Sequence, residues 1–512
     1  MKRSFSICLI LVCLSFGIAR GNGIVLSNIT SVNGAGFVQL QFDLSWNNSW
    51  NNAINRDAAW VFFKFKDNDG TWHHLNLTNA NNSISAGYSL NVPSDLTGVM
   101  ISRNAAGLGT VTLLGVQVGV NNLPGSFDVK GFAIEMVRIP VETPYYLGDG
   151  NGGVQTYRDG ASNAAFLVNA NTITMGVGAG QLADGYNNGT LATGYPIGYN
   201  TAGASLNLYM MKHEISQAAY RDFLNTLTYT QQVSRTLALP NSAAGTLAIG
   251  SLSWRNGIKI STAGIPTTDP AVYGCDLNNN SIYNEATDGE WVGCGYLTYM
   301  DVAAFLDWAA MRPMTEMEFE KSCRGPLAPV KSEFAAGNTI EANYPYPINN
   351  SGAANESFSY YYSVLSTNIT CQTTASGPSR VGIHATANAT RISAGAGYYG
   401  ALDLSGNIQE VCVTSGNAAG QSFTGVNGDG ELNTTGDATV NYWPGMGGNT
   451  TTTIANTVYG GTTGVTGAAG FYFRAGSYAH ASSVARISNR LSVPSGTSGR
   501  LAYGGGRGVK NW

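Results

Sequence analysis

Charged side chains are scarce in this chain of 512 residues: Asp, Glu, Lys and Arg make up 11% of it, against roughly 25% in an ordinary soluble protein. With a formal net charge of −4, it has no basic field to attract nucleic acid or an anionic membrane. A polar surface must instead be built from Asn, Thr, Ser and Gly. Long apolar runs are missing too. The one from Ile7 to Ile18 is shorter than the ~20 residues a spanning helix needs, so no membrane span is expected. It follows Lys2 and Arg3 and leads into Ala19-Arg20-Gly21, the order of an export signal over residues 1–21. The mature protein is therefore expected outside the cytoplasm, at the cell surface, in the extracellular medium or in a periplasm. Of seven cysteines, Cys8 and Cys13 lie in that leader and the last is Cys412, so residues 413–512 hold no thiol. Gly-x-Ser-x-Gly elbows, phosphate loops and His-Glu-x-x-His are absent as well.

Glycine is abundant at 65 residues, yet 26 Tyr, 18 Phe and 9 Trp are spread along the whole chain, which argues for many turns in a packed protein rather than disorder. The length favours two domains. Residues 22–132 read as all-β. Val38, Leu40, Phe42, Leu44 and Trp46 alternate with polar residues, the period of a half-buried strand. Val61, Phe63 and Phe65 repeat it, and the turn Asp67-Asn68-Asp69-Gly70 returns the chain through Trp72 to Leu77 as a hairpin. Phe127 and Val129, followed by residues 132–137, lead into the next domain. A two-sheet sandwich fits these strands. His73 and His74 are adjacent, so they point to opposite faces and do not share a metal.

Residues 133–512 read differently, as short helices between Gly-rich connections. Ser216 caps a helix that carries Tyr220, Phe223, Leu224 and Leu227 on one face. Thr298 to Gly325 encodes two more. Thr298 and Asp301 begin the first, Arg312-Pro313 breaks it, and Thr315 with Glu318 restarts the second in a capping box, stapled by Met314 and Phe319. Gly325 stops it. Cys323 falls on the same inward side as Phe319 and reads as a buried apolar residue rather than a nucleophile.

Five segments in this order resemble the formylglycine-generating enzyme, or sulfatase-modifying factor, family. They are Met136 to Pro140 leading to Leu147-Gly148, the helix after Lys212-His213-Glu214, Arg312 to Glu316 with Glu320-Lys321, Gly400 to Glu410, and Phe473 to Tyr478 through Gly506 to Val509. The resemblance implies a variant of the C-type lectin fold with little regular secondary structure. Together with the N-terminal strands this makes an α+β protein, a β-sandwich at 22–132 followed by the family domain at 133–512.

The resemblance also implies where chemistry would sit. Enzymes of the family use a C-terminal cysteine pair to bind copper(I) and oxidise a substrate cysteine to formylglycine, because soft thiolates select copper(I). If Arg486 and Arg490 match the arginines after that pair, the cysteine positions fall near Ser477 and Ser482, with His480 beside them. These five residues form the candidate groove, and none is cysteine. A second branch of the family holds nonhaem iron through histidines. Here His213, His384 and His480 are far apart, and no His-x-x-x-His occurs. Copper and iron are therefore not expected.

Calcium is. Asn407-Ile408-Gln409-Glu410 stands where the family has Asn-x-Trp-Glu, which gives carbonyls and a carboxylate to calcium; a glutamate bonded to a loop at a strand edge is the other reading. Between Cys275 and Cys294, Asp276, Asn278 and Asn280 have the oxygen spacing of a calcium loop, but Ser281 and Thr287 replace the Gly and Glu of an EF-hand. A dockerin-like or irregular calcium turn is one reading, and a solvated polar loop is the favoured one. A disulfide between Cys275 and Cys294 would close it in an oxidising compartment. Asn427 to Glu431 reads as a tight turn or a ligand-facing loop. The expected function is an exported, noncatalytic, calcium-stabilised binding or assembly module for an extracellular protein, a glycan or further copies of itself. The alternative is a metal-dependent oxidase of the formylglycine-generating type with diverged ligands.

Overall fold

A computed structural model describes residues 19–21, 23–34, 37–121, 128–140, 144–151, 156–169, 173–184, 189–191, 195, 208–342, 347–359, 366–372, 376–386, 389–447, 463–490 and 499–512. Most of the expected export signal, residues 1–18, and Phe127 lie outside these residues. Strand predominates over helix in what is described.

The alternation read at 38–46 becomes β3 (Phe37–Asn51), which buries Leu40, Phe42, Leu44 and Trp46. It lies between β2 (Ile24–Gly34) and β8 (Gly107–Val120), and β1 (Ala19–Gly21) completes a four-stranded sheet in the order β1-β2-β3-β8. A second sheet is centred on β4 (Asp57–Lys66), flanked by β9 (Asp128–Ile139) and β7 (Val99–Arg103), with β6 (Tyr88–Asn91) beyond β7. The expected hairpin is formed by β4 and β5 (Trp72–His74), closed by the Gly70 N–H donating to the Asp67 carbonyl at 3.0 Å.

Leu26, Phe42, Val61, Phe63, Ile101 and Val118 form one buried cluster between these two sheets. β4 is covered on its other face as well. Ala58, Trp60 and Phe62 belong to the core shared with the helices, and Phe62 meets Trp308 edge-on at 5.1 Å. Burial on both faces explains the unbroken apolar run from Ala58 to Phe63.

The boundary expected at 132/133 falls inside β9, and the sheet continues past it. β9 pairs with Leu208–Met211, that strand with Gly508–Asn511, and the last with Arg312–Pro313. One eight-stranded sheet therefore carries strands from both parts of the chain. Trp60 Nε1 donates to the Ala309 carbonyl at 2.9 Å, and Lys510 Nζ bonds the Ala310 carbonyl at 2.8 Å and Asp95 at 2.9 Å.

The helices form as their caps foretell. Ser216 caps α1 (Gln217–Leu224), and Thr228 with Gln231 makes a capping box for α2 (Tyr229–Arg235). Capping boxes of Thr298 with Asp301 and Thr315 with Glu318 open α3 (Tyr299–Trp308) and α4 (Glu316–Arg324). The Arg-Pro break between them is more than an interruption, since Arg312–Pro313 forms the outer strand of the large sheet. α4 turns its inner face toward a small sheet of Gln409–Val413, Phe471–Arg474 and Gly504–Gly505.

Candidate functional site

α4 places Glu316 and Glu320 one turn apart on its inward face, where both are fully buried. Arg474 and Arg490 meet them, and Arg324 stands 3.5 Å from Glu320. Arg474 donates from Nη1 to Glu316 at 3.0 Å and from Nη2 to Glu320 at 2.7 Å. Arg490 grips Glu316 through Nε and Nη2, both at 2.9 Å, and lies 4.2 Å from the centre of the Tyr157 ring. Thr414 and Tyr157 add hydroxyl donors at 2.6 and 3.2 Å. Burial alone would raise the Glu316 carboxyl, but the Arg490 and Arg474 guanidinium groups outweigh it and hold the group down at about 2. A carboxylate so saturated holds the fold together and offers no base or ligand.

The calcium candidates meet a comparable arginine. Glu410 accepts from Nε and Nη2 of Arg507, both at 2.7 Å, which occupies its two oxygens. Asn407 Oδ1 accepts from the Ser379 N–H at 2.9 Å, and its carbonyl accepts from the Tyr478 N–H at 2.9 Å. The Ile408 N–H and Asn407 Nδ2 donate to Glu214 at 2.9 and 2.6 Å. These residues do not fit a calcium ion, because a guanidinium already supplies the positive charge and the oxygens are turned to donors. Arg507 is surrounded by Glu410, Glu214 and Asp403. Burial, with Asp403 and Glu410 next, raises the Glu214 carboxyl well above the ordinary range.

The second calcium candidate has a lysine in the same role. Lys259 Nζ sits 2.7 Å from Asp276, whose other contacts are the N–H groups of Asn280 and Ser281. Asn278 and Asn280 accept from the N–H two residues on, at 3.0 and 2.8 Å, which makes the stretch a succession of Asx turns. The expected disulfide is not made. Cys275 and Cys294 are free and buried, with Sγ atoms 4.0 Å from Arg221 Nη1 and 3.9 Å from Asn256 Nδ2. Asn427 to Glu431 packs onto α3, with the Gly430 N–H bonded to the Asp307 carbonyl and the Asp429 N–H to its side chain. His73 and His74 diverge as expected: His73 Nδ1 lies 3.3 Å from Glu431, and His74 Nε2 bonds the Thr97 carbonyl at 2.5 Å. Among the described residues, Asp67, Asp69 and His73 are close enough to share a cation, but both aspartates already bond N–H groups within their own exposed turn.

The five residues of the candidate groove separate into two places. Ser477 and His480 stand together, Oγ to Nδ1 at 2.6 Å. Ser477 is 0% exposed, and its Oγ also accepts from the Ala479 N–H at 3.2 Å. Among the described residues no other acceptor is within reach of that hydroxyl, which pairs it with Nδ1 of His480. Burial lowers the basicity of this histidine and keeps it neutral. Ser482 opens the following short 3-10 turn (Ser482–Ala485). Arg486 and Arg490 turn away from it, Arg486 to the Ser332 carbonyl at 2.9 Å and Arg490 to Glu316.

Aromatic side chains that local sequence did not single out complete the Ser477–His480 end. Tyr503 packs edge-on against His480 at 4.7 Å, and Trp254 lies 6.2 Å from Tyr478. The Tyr478 ring is 2% exposed and its hydroxyl makes no hydrogen bond. Asn407, at φ +61°, holds Tyr478 there through its carbonyl. Trp254 is 41% exposed, at the end of a short turn capped by Ser251. The result is a partly exposed aromatic patch fixed on a rigid scaffold. These rings come from segments near 254, 478 and 503, and no local pattern joins them.

The order of the segments, the capped helices and the arginine-bound glutamates agree with a comparison against known families. A model of the sulfatase-modifying factor enzyme 1-like domain matches residues 200–504, and the chain belongs to that family. No curated protein matches it.

Proposed function

We propose that the chain is an exported, noncatalytic binding or assembly module built on a sulfatase-modifying-factor scaffold. One observation carries this: Ser477, which with Ser482 stands near where the resemblance puts the family's cysteine pair if Arg486 and Arg490 match its arginines, is fully buried with its hydroxyl committed to His480. A serine there cannot hold copper(I) as a thiolate does. The thiols elsewhere do not replace it, since burial pushes Cys323 and Cys412 well up and Cys275 up to about 12. Calcium is left out of the proposal, because Arg507 and Lys259 hold the carboxylates that would bind it.

The exposed Trp254 and the partly exposed His480 and Tyr503, seated around the buried Tyr478 ring, are the surface offered to an extracellular partner. Aromatic faces bury apolar area while their polar edges keep hydrogen-bonding capacity. The stacked sheets of the N-terminal part serve as a sandwich that fixes the orientation of this surface. Export rests on the order of charge, apolar run and small residues in 1–21. To test the proposal, the protein from residue 22 onward is loaded separately with copper(I) and iron(II) and incubated under oxygen with a cysteine-containing sulfatase peptide. Unchanged peptide by mass spectrometry is expected. Formylglycine above the metal-only control overturns the noncatalytic assignment.

A further inference from the structure

Beside the aromatic patch an open groove of about 780 Å³ runs past Tyr296, within the size range of ligand clefts. Its walls come from the end of α2, the start of α3, the turn at Thr435–Asp437, Thr466 and Arg500. They are helix ends and turns and include no strand edge along which an extended peptide could pair. We propose that this groove binds a neutral oligosaccharide. The inference rests on the binding-module reading and supplies its ligand class.

Charge argues for neutrality. Arg235 bonds Asp437 at 2.6 Å and stands 3.5 Å from Asp301, while Arg500 bonds Asp301 at 2.5 Å. Two guanidinium groups and two carboxylates form a chain whose charges cancel, so the groove has no net field to select an ion. It does have alternating strong donors and acceptors, and Ser234 and Thr466 add hydroxyls along it, while those of Thr298 and Thr435 are donated to Asp301 and Asp437, each at 2.7 Å. Neighbouring hydroxyl groups on a sugar ring, each both donor and acceptor, match such a surface.

Apolar surface is present too: Leu237 and Met300 line the groove, and Leu237 is largely exposed. Tyr296 lines the groove as well. Sugar rings present C–H faces that suit these apolar and aromatic walls.

The experiment is calorimetric titration of the full chain with neutral hexasaccharides of glucose, mannose and N-acetylglucosamine. A hexasaccharide of uronic acid and an uncharged decapeptide run alongside. Saturable binding of at least one neutral hexasaccharide is expected. Leu237→Trp and Thr466→Trp, which fill the groove from exposed positions, are expected to weaken it by about tenfold or more at unchanged thermal midpoint. No binding of any neutral hexasaccharide, or a preference for the acidic chain or the peptide, overturns the proposal. So does wild-type affinity in both groove-filling variants. If Trp254→Ala then abolishes that affinity, the patch binds alone, and the binding-module reading survives without the groove.

Discussion

Replacing Glu316 by glutamine tests the charge network at its centre. The side chain keeps its size, but one of its two oxygens becomes an NH₂ group aimed at guanidinium donors. Arg474 retains Glu320 at 2.7 Å, whereas Arg490 is left with Asp184 at 3.6 Å, so the loss concentrates on Arg490. Removing one partner of a buried ion pair costs about 3–5 kcal/mol. The acidity of the group gives an independent figure. Its pKa falls from 4.5 to about 2 on folding, which corresponds to about 3 kcal/mol. The sign follows from a depressed carboxylate: its contribution is complete above the unfolded value near 4.5 and is lost as pH falls through about 2. Urea unfolding of Glu316→Gln and wild type should therefore differ by about 3 kcal/mol at neutral pH, with the gap closing as pH falls toward 2. A difference below about 1 kcal/mol at neutral pH, or one that stays constant into acid, refutes the reasoning.

Arg507 should behave alike, because Arg507→Met leaves Glu410 buried beside Asp403 and Glu214; thermal melting should show a loss of about 3–5 kcal/mol, and Arg507→Lys should recover little of it because one ammonium cannot make the two-pronged contact. Since that guanidinium stands where calcium was expected, chelation should leave the wild-type midpoint unchanged, and a fall on chelation that calcium reverses would contradict this. Acid should destabilise the fold well above the Glu316 range. Burial pushes His74 and His213 well down and His384 down to about 3, so the unfolded chain takes up protons first as pH drops below about 6.5. The histidines should therefore lower the midpoint between pH 7.5 and 5, while the raised Glu214 and Asp307 carboxyls act in the opposite sense; a His384→Asn variant whose profile over that window matches wild type would count against a histidine held neutral.

The elements written locally in the sequence form as it encodes them. The alternation in β3, the Asp67 to Gly70 hairpin and the caps at Ser216, Thr298 and Thr315 are each written within a few residues, and each forms. The joining of the two parts of the chain is not local. β9 pairs with residues 208–211, and these pair with residues near 510, partners that periodicity cannot choose. The unbroken apolar run of β4 was the one local sign that its sheet is covered on both faces. The fate of Glu410 was equally distant, since Asn-Ile-Gln-Glu looks the same beside calcium as beside Arg507, nearly a hundred residues on. Glu316, Glu320 and Arg474 fall in the segments that resemble the family, but their mutual bonds exist only once α4 meets the strand Phe471–Arg474.

The noncatalytic assignment stands or falls on one result. Oxygen-driven conversion of a cysteine-containing sulfatase peptide, followed by mass spectrometry with copper(I)-loaded and iron(II)-loaded protein, should give no formylglycine above the metal-only control. Turnover that depends on the protein and is abolished in a Ser477→Ala or His480→Ala variant would show that this end of the scaffold has kept a chemistry of its own.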